Sequence, residues 1–173
     1  AYHNIMTRFK FGNLKQKGLY IDETTMRMCY THRRLLGQTA LQLIAEGKKQ
    51  KAINILKKAD VEIPTYNVPL DYLNGGIDMA RGWLMTGQKA KGKEYVEAIW
   101  KNASQYLNYY LSLPNDLFLQ AEHDCIRQIM IMQSICEAAG MVSPQLEKKY
   151  EKQLNNLYRL YHGRGGRMPE GNQ

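Results

Sequence analysis

"EGKKQKAINILKKADVEIP", residues 46–64, reads in two ways. Its five lysines suit an acidic partner. Its Ala52, Ile55, Leu56, Ala59 and Ile63 recur at steps of three and four, which places them on one face of a helix. Lys48, Lys51, Lys57 and Lys58 lie mainly off that face. Gly47 suits the turn before the helix, and Pro64 ends it because proline has no N–H to continue the ladder. The stretch is therefore expected to be an amphipathic helix over 48–63, with its lysines on the wet side.

The same logic extends in both directions. Upstream, Met26, Cys29, Arg33, Leu36, Ala40 and Leu43 form one helical stripe within 24–46, with Asp22 or Thr24 as the cap. Downstream, "TYNVPLDYLNGG" (65–76) interrupts the pattern. Leu73, Ile77, Ala80 and Leu84 then mark a helix over 70–86 that stops at Gly87. Val96, Ile99, Ala103, Tyr106, Leu107 and Tyr110 mark another over 89–113. Phe118, Ala121, Cys125, Ile129, Met132, Ile135 and Ala139 continue over 115–139, closed by Gly140. Ser143 and Pro144 open the last helix, 143–162. No alternation long enough for a strand occurs. The expected fold is all-α: three antiparallel helical hairpins over 22–162, preceded by an irregular segment, 1–21, and followed by a poorly structured tail, 163–173.

A shift of forty residues aligns Ala40 with Ala80, Leu43 with Trp83 and Gly47 with Gly87. It also aligns Ala52 with Gly92, Leu56 with Val96 and Ala59 with Ile99. Small residues recur where paired helices must approach, and large ones recur where a gap must be filled. The unit "GKKQKAINILKKADVEIP" resembles the second half of a tetratricopeptide repeat. That resemblance implies stacking into a right-handed superhelix, with the first helix of each pair lining a groove and the lysines of 46–64 away from it.

A wider resemblance rests on "YHNIMTRFKFGNLKQKGLYIDETTMRMCYTHRR" (2–34), "LIAEGKKQKAINILKKADVEIPTYNVP" (43–69) and "YLNYYLSL" (106–113). These are similar to the soluble C-terminal part of bacterial multi-spanning membrane proteins related to protein O-mannosyltransferases, of the GT-C type. The family implies a tetratricopeptide-like domain outside the cytoplasmic membrane, on the periplasmic side, attached to a membrane glycosyltransferase. Its presumed catalytic acid lies in the membrane domain, so the resemblance assigns no catalytic residue here. The chain opens at Ala1 without an initiator methionine and is expected to be a piece of a longer protein.

Charge gives a direction to this expectation. All of the net +8 resides in residues 1–60, which hold twelve Lys or Arg against four acids. Arg8, Lys10, Lys15, Lys17, Arg33 and Arg34 are the candidate residues for facing an anionic membrane surface or a partner. Clustered cations beside a span favour the cytoplasmic side, a rule that weakens for large translocated domains. The alternatives are a free-standing adaptor that binds peptides and, third, a basic nucleic-acid-binding module. The last lacks aromatic interleaving and any known motif.

No catalytic, metal or cofactor set is expected. "EHDC" (122–125) is the only cluster of ligand-type residues, and consecutive helical positions point about 100° apart, too divergent to converge on one ion. Asp22 and Glu23 suit a helix start better than an acid–base pair. Cys29, Cys125 and Cys136 fall on or beside apolar stripes and read as buried thiols. No phosphate-binding or nucleophile motif occurs.

Overall fold

The computed structural model describes residues 2–70 and 75–167. Among these residues it holds eight helices and no strand: α1 (Tyr2–Thr7), α2 (Glu23–Ala45), α3 (Lys49–Glu62), α4 (Gly76–Met85), α5 (Lys89–Ser112), α6 (Asn115–Gln120), α7 (Glu122–Val142) and α8 (Pro144–Gly163). The all-α expectation holds. The chain forms two compact units, Ala1–Ile99 and Trp100–Gln173.

In the first unit the helix ends follow from local chemistry. The Asp22 carboxylate caps α2, accepting from the Thr25 N–H at 3.0 Å and the Thr25 hydroxyl at 2.6 Å. At the other end Gly47 takes a left-handed φ of 73°. Its N–H bonds the Ile44 carbonyl, and the Lys48 N–H bonds that of Leu43. Gly87 does the same forty residues later: φ is 85°, Gly87 N–H bonds Leu84, and Gln88 N–H bonds Trp83. Only glycine adopts this backbone without Cβ strain.

α2 packs against α3 and α4, and α4 also packs against α3. Leu36, Ala40, Ala52, Ile55, Leu56 and Ala59 are buried between them, while Lys49, Lys51 and Lys57 of α3 are exposed and Lys58 is half-buried. The crossings are close. A Cβ on Gly37 of α2 would lie 2.8 Å from Asp78 Cβ, and one on Gly82 of α4 would lie 3.0 Å from Leu56. Gly92 replaces an alanine because Leu84 occupies the space: a Cβ there would meet its Cγ at 2.5 Å. Trp83 of α4 is buried, and its indole N–H has no acceptor among the described residues.

In the second unit, α7 packs against α6 and α8. Ser143 caps α8, accepting from the Leu146 N–H at 3.2 Å, with Pro144 at the first helical position. Trp100 of α5 stacks on Tyr150 of α8, ring centroids 3.9 Å apart and nearly coplanar.

Four expectations need correction. Residues 1–21 are not irregular throughout, because α1 forms there, anchored by buried Ile5. The single helix expected over 115–139 is broken at Ala121 into α6 and α7. Gly140 does not close that helix, since α7 runs through it to Val142. The described residues of the tail, 163–167, are packed rather than free: Gly166 is buried against the Tyr161 ring, and Tyr161 donates to the Arg167 carbonyl at 3.0 Å. The helix expected over 70–86 begins, among the described residues, at Gly76; Leu73 of its stripe lies outside them.

Candidate functional site

The basic N-terminal segment folds back as a strap across α3 and the turn after it. Ile5 and Leu14 are its buried anchors. Asn54 of α3 donates to the Tyr2 hydroxyl at 3.1 Å, and Lys58 donates to the Met6 carbonyl at 3.2 Å. Further along, Asn67 donates to the carbonyls of Leu14 and Gln16, both at 2.6 Å, and Tyr66 donates to that of Lys15 at 2.8 Å. Phe9 and Phe11 both present their rings edge-on to His32 of α2.

The six basic candidates separate on this scaffold. Arg8 and Lys10 are exposed and form no ion pair among the described residues. Lys17 is exposed and sits over the Tyr66 ring, 5.8 Å from its centroid. Lys15 pairs with Glu62 at 2.9 Å, an exposed contact that contributes about 0–1 kcal/mol. Arg34 is exposed on α2, where its charge and that of Arg81 partly offset the rise that burial imposes on the Asp78 carboxyl.

Arg33 belongs elsewhere. It is only 1% exposed and faces no surface. Its guanidinium donates to the carbonyls of Ile63 (2.9 Å), Val68 (2.6 Å) and Pro69 (2.9 Å), pinning the chain between α3 and α4 to α2. Its place in the apolar stripe of α2 was the sequence signal for this burial.

A second polar group inside the first unit escaped the sequence reading. Tyr95 of α5 donates to the Asp60 carboxylate, and Lys91 lies 3.6 Å from that carboxylate. Burial raises the Asp60 pKa, an effect that the Tyr95 hydrogen bond and the Lys91 charge reduce. Burial, followed by the charge of Asp60, raises the tyrosine as well. No motif marks this pair, because it joins residues 35 positions apart.

The thiols are poor nucleophiles. Burial pushes Cys125 and Cys136 up to about 11, helped at Cys136 by the carboxylates of Glu151, Glu147 and Glu137, and it also raises Cys29. The "EHDC" residues diverge: Glu122 accepts from Tyr161, Asp124 pairs with Arg127 at 3.1 Å, and Cys125 is buried. Among the described residues no group of three or more His, Cys, Asp or Glu is placed to hold a metal ion, and no helix is long and apolar enough to cross a membrane.

Ala40, Leu43, Ala52, Leu56, Ala59, Ala80, Trp83 and Val96 are buried, and Gly47 and Gly87 make the helix ends. Comparison of the chain with family models, curated proteins and solved structures finds no match.

Proposed function

We propose that this chain is a tetratricopeptide-like helical-repeat domain that docks rather than catalyses, and that it serves a membrane glycosyltransferase related to protein O-mannosyltransferases. The observation that carries the repeat reading is the forty-residue recurrence of one helix end: Leu43, Gly47 and Lys48 repeat as Trp83, Gly87 and Gln88 with the same pair of backbone bonds. Small residues at the α2–α3–α4 crossings support it. The family enters through the sequence resemblance over most of residues 2–113, which implies a membrane domain on the N-terminal side and a periplasmic position for this domain.

In this proposal the strap is the membrane-facing element. Arg8, Lys10 and Lys17 would meet anionic headgroups, each cation adding about 1 kcal/mol near the surface. The test is co-sedimentation with liposomes containing or lacking phosphatidylglycerol, at low and high salt. Reversing Arg8, Lys10 and Lys17 to glutamate is expected to abolish binding at low salt. Reversing Lys89, Lys93 and Lys101 is expected to matter much less. Lys15 is left intact because reversal would set it against Glu62. Equal losses from both sets, or no binding to anionic vesicles at low salt, would reject the oriented face.

A further inference from the structure

Where α7 packs on α8, the second unit holds an open cavity of about 450 Å³. Cys136 and Glu137 of α7 and Glu147, Glu151 and Leu154 of α8 line it. Three carboxylates thus share one cavity in a chain whose net charge is +8, and none of the lining residues is a cation. The neighbouring Lys148, Lys149 and Lys152 are exposed and do not line it. Glu147 and Glu151 form no ion pair among the described residues, and as like charges at i and i+4 they repel each other.

Two further features show that the cavity is shaped around these groups. Gly140 lies inside α7, where glycine is a poor helix former. A Cβ there would stand 2.8 Å from either oxygen of Glu147, so a residue without a side chain leaves the seat in which that carboxylate rests. The second feature is the Cys136 thiol. It is only 7% exposed, it makes no hydrogen bond among the described residues, and it lines the cavity. Burial, then the charges of Glu151, Glu147 and Glu137, hold this thiol up at about 11. All three carboxylates are therefore felt at one sulfur, which stays an uncharged S–H at neutral pH and can accept weakly from an N–H.

The arrangement selects the ligand class. Unpaired carboxylates call for a cation. Among the described residues, no group of three or more His, Cys, Asp or Glu is placed to hold a metal ion, so the negative charge is spread rather than focused. Glu147, Glu151 and Leu154 stand at i, i+4 and i+7, which sets the two acids about 6 Å apart along the helix with an apolar side chain in the next turn. Separated acids suit separated ammonium groups, and Leu154 suits the methylenes that join them. A single ammonium would leave part of the charge unanswered.

We propose that the α7–α8 cavity binds a linear aliphatic polyamine, with its ammonium groups on the carboxylates of Glu137, Glu147 and Glu151 and its methylenes along Leu154. The site lies entirely within the second unit and does not depend on the membrane-docking reading. A failed liposome experiment leaves it standing, and its own failure leaves that reading untouched.

The test is calorimetric titration of the full chain with spermidine at low ionic strength, where screening is weakest. Saturable binding at one site is expected. N-acetyl-lysine amide, with one ammonium, should bind about tenfold more weakly, and an equal concentration of magnesium chloride should not displace spermidine. Glu147→Gln combined with Glu151→Gln keeps the size and removes a like-charge pair. It should leave the thermal midpoint unchanged or higher while weakening spermidine about tenfold. Gly140→Ala keeps every charge but fills the seat of the Glu147 carboxylate, and it should weaken binding without lowering the midpoint. Glu23→Gln combined with Glu97→Gln removes the same charge from the first unit and should bind like the parent. No saturable binding of spermidine, equal affinity for the acetylated lysine amide, or displacement by magnesium would each overturn the proposal. So would equal losses from the two glutamine pairs, or binding unchanged in both the Glu147–Glu151 pair and Gly140→Ala.

Discussion

At the scale of single residues, Arg33 and Asp60 are charges held inside the first unit, and each makes a measurable claim. Arg33 is there for its fork of donors, which reaches three carbonyls at once. Arg33→Leu should strand those carbonyls and cost on the order of 3 kcal/mol in urea unfolding. Arg33→Lys should recover part of this, since an ammonium is a point donor. A loss below about 1 kcal/mol for the leucine variant would remove the pinning role. Asp60 makes a pH claim. Its folded pKa is raised, so in the window between the ordinary aspartate value and the raised one the folded state holds more protons than the unfolded state. Stability therefore falls as pH climbs through that window, and the loss is complete above it. Asp60→Asn should flatten this slope. Tyr95→Phe removes a bond that favours the carboxylate and should carry the slope to higher pH. A slope unchanged in both variants would assign it to other groups.

At the scale of elements, what the sequence could reveal was what local chemistry decides. Asp22, Gly47, Gly87, Ser143 and Pro144 act within a turn of their own helix and were legible, Asp22 with Thr24 as its alternative. The elements that escaped depend on distant partners. α1 has six residues and is held by Ile5 and by its contacts on α3, information absent from its own six letters. The break at Ala121 has neither proline nor glycine to announce it. Gly140 looked like a terminator, yet it sits inside α7, where the Glu147 carboxylate lies 2.8 Å from where a Cβ would stand. Of the candidate site, the charges of the strap were visible as composition, whereas the separation of Arg33 from Arg34 required the fold. Two substitutions test a helix crossing and a helix end. Ala52→Leu should overpack the α2–α3 contact and cost about 1–3 kcal/mol. Gly47→Ala forces a side chain into left-handed backbone with open space around it, so strain alone should cost about 1 kcal/mol. A thermal melt unchanged in Ala52→Leu would contradict the packing assigned there.

At the scale of the whole molecule, the strap is part of the first unit's core as well as its charged surface. Removing residues 1–20 should uncover the surface beneath Ile5 and Leu14, on α3 and the turn after it, and cost on the order of 3 kcal/mol, read as a lower calorimetric midpoint. The triple charge reversal at Arg8, Lys10 and Lys17 should leave that midpoint nearly unchanged, because those side chains are exposed. A reversal that unfolds the protein would mean that the liposome experiment had been reporting on folding.

The positions of the two tryptophans have a practical consequence. Trp83 belongs to the first unit and Trp100 to the second, so each unit carries its own fluorophore. Both indoles are buried, and unfolding should move the emission of each to longer wavelength as water reaches the ring. They start from different surroundings: one ring lacks an acceptor for its N–H, while the other lies flat on a tyrosine that can quench it. Trp100→Phe leaves a protein that reports only on the first unit, and Trp83→Phe one that reports only on the second. Superimposable urea curves from the two variants would describe one cooperative transition. Displaced curves would reveal two folding units within one chain and give the order in which they come apart.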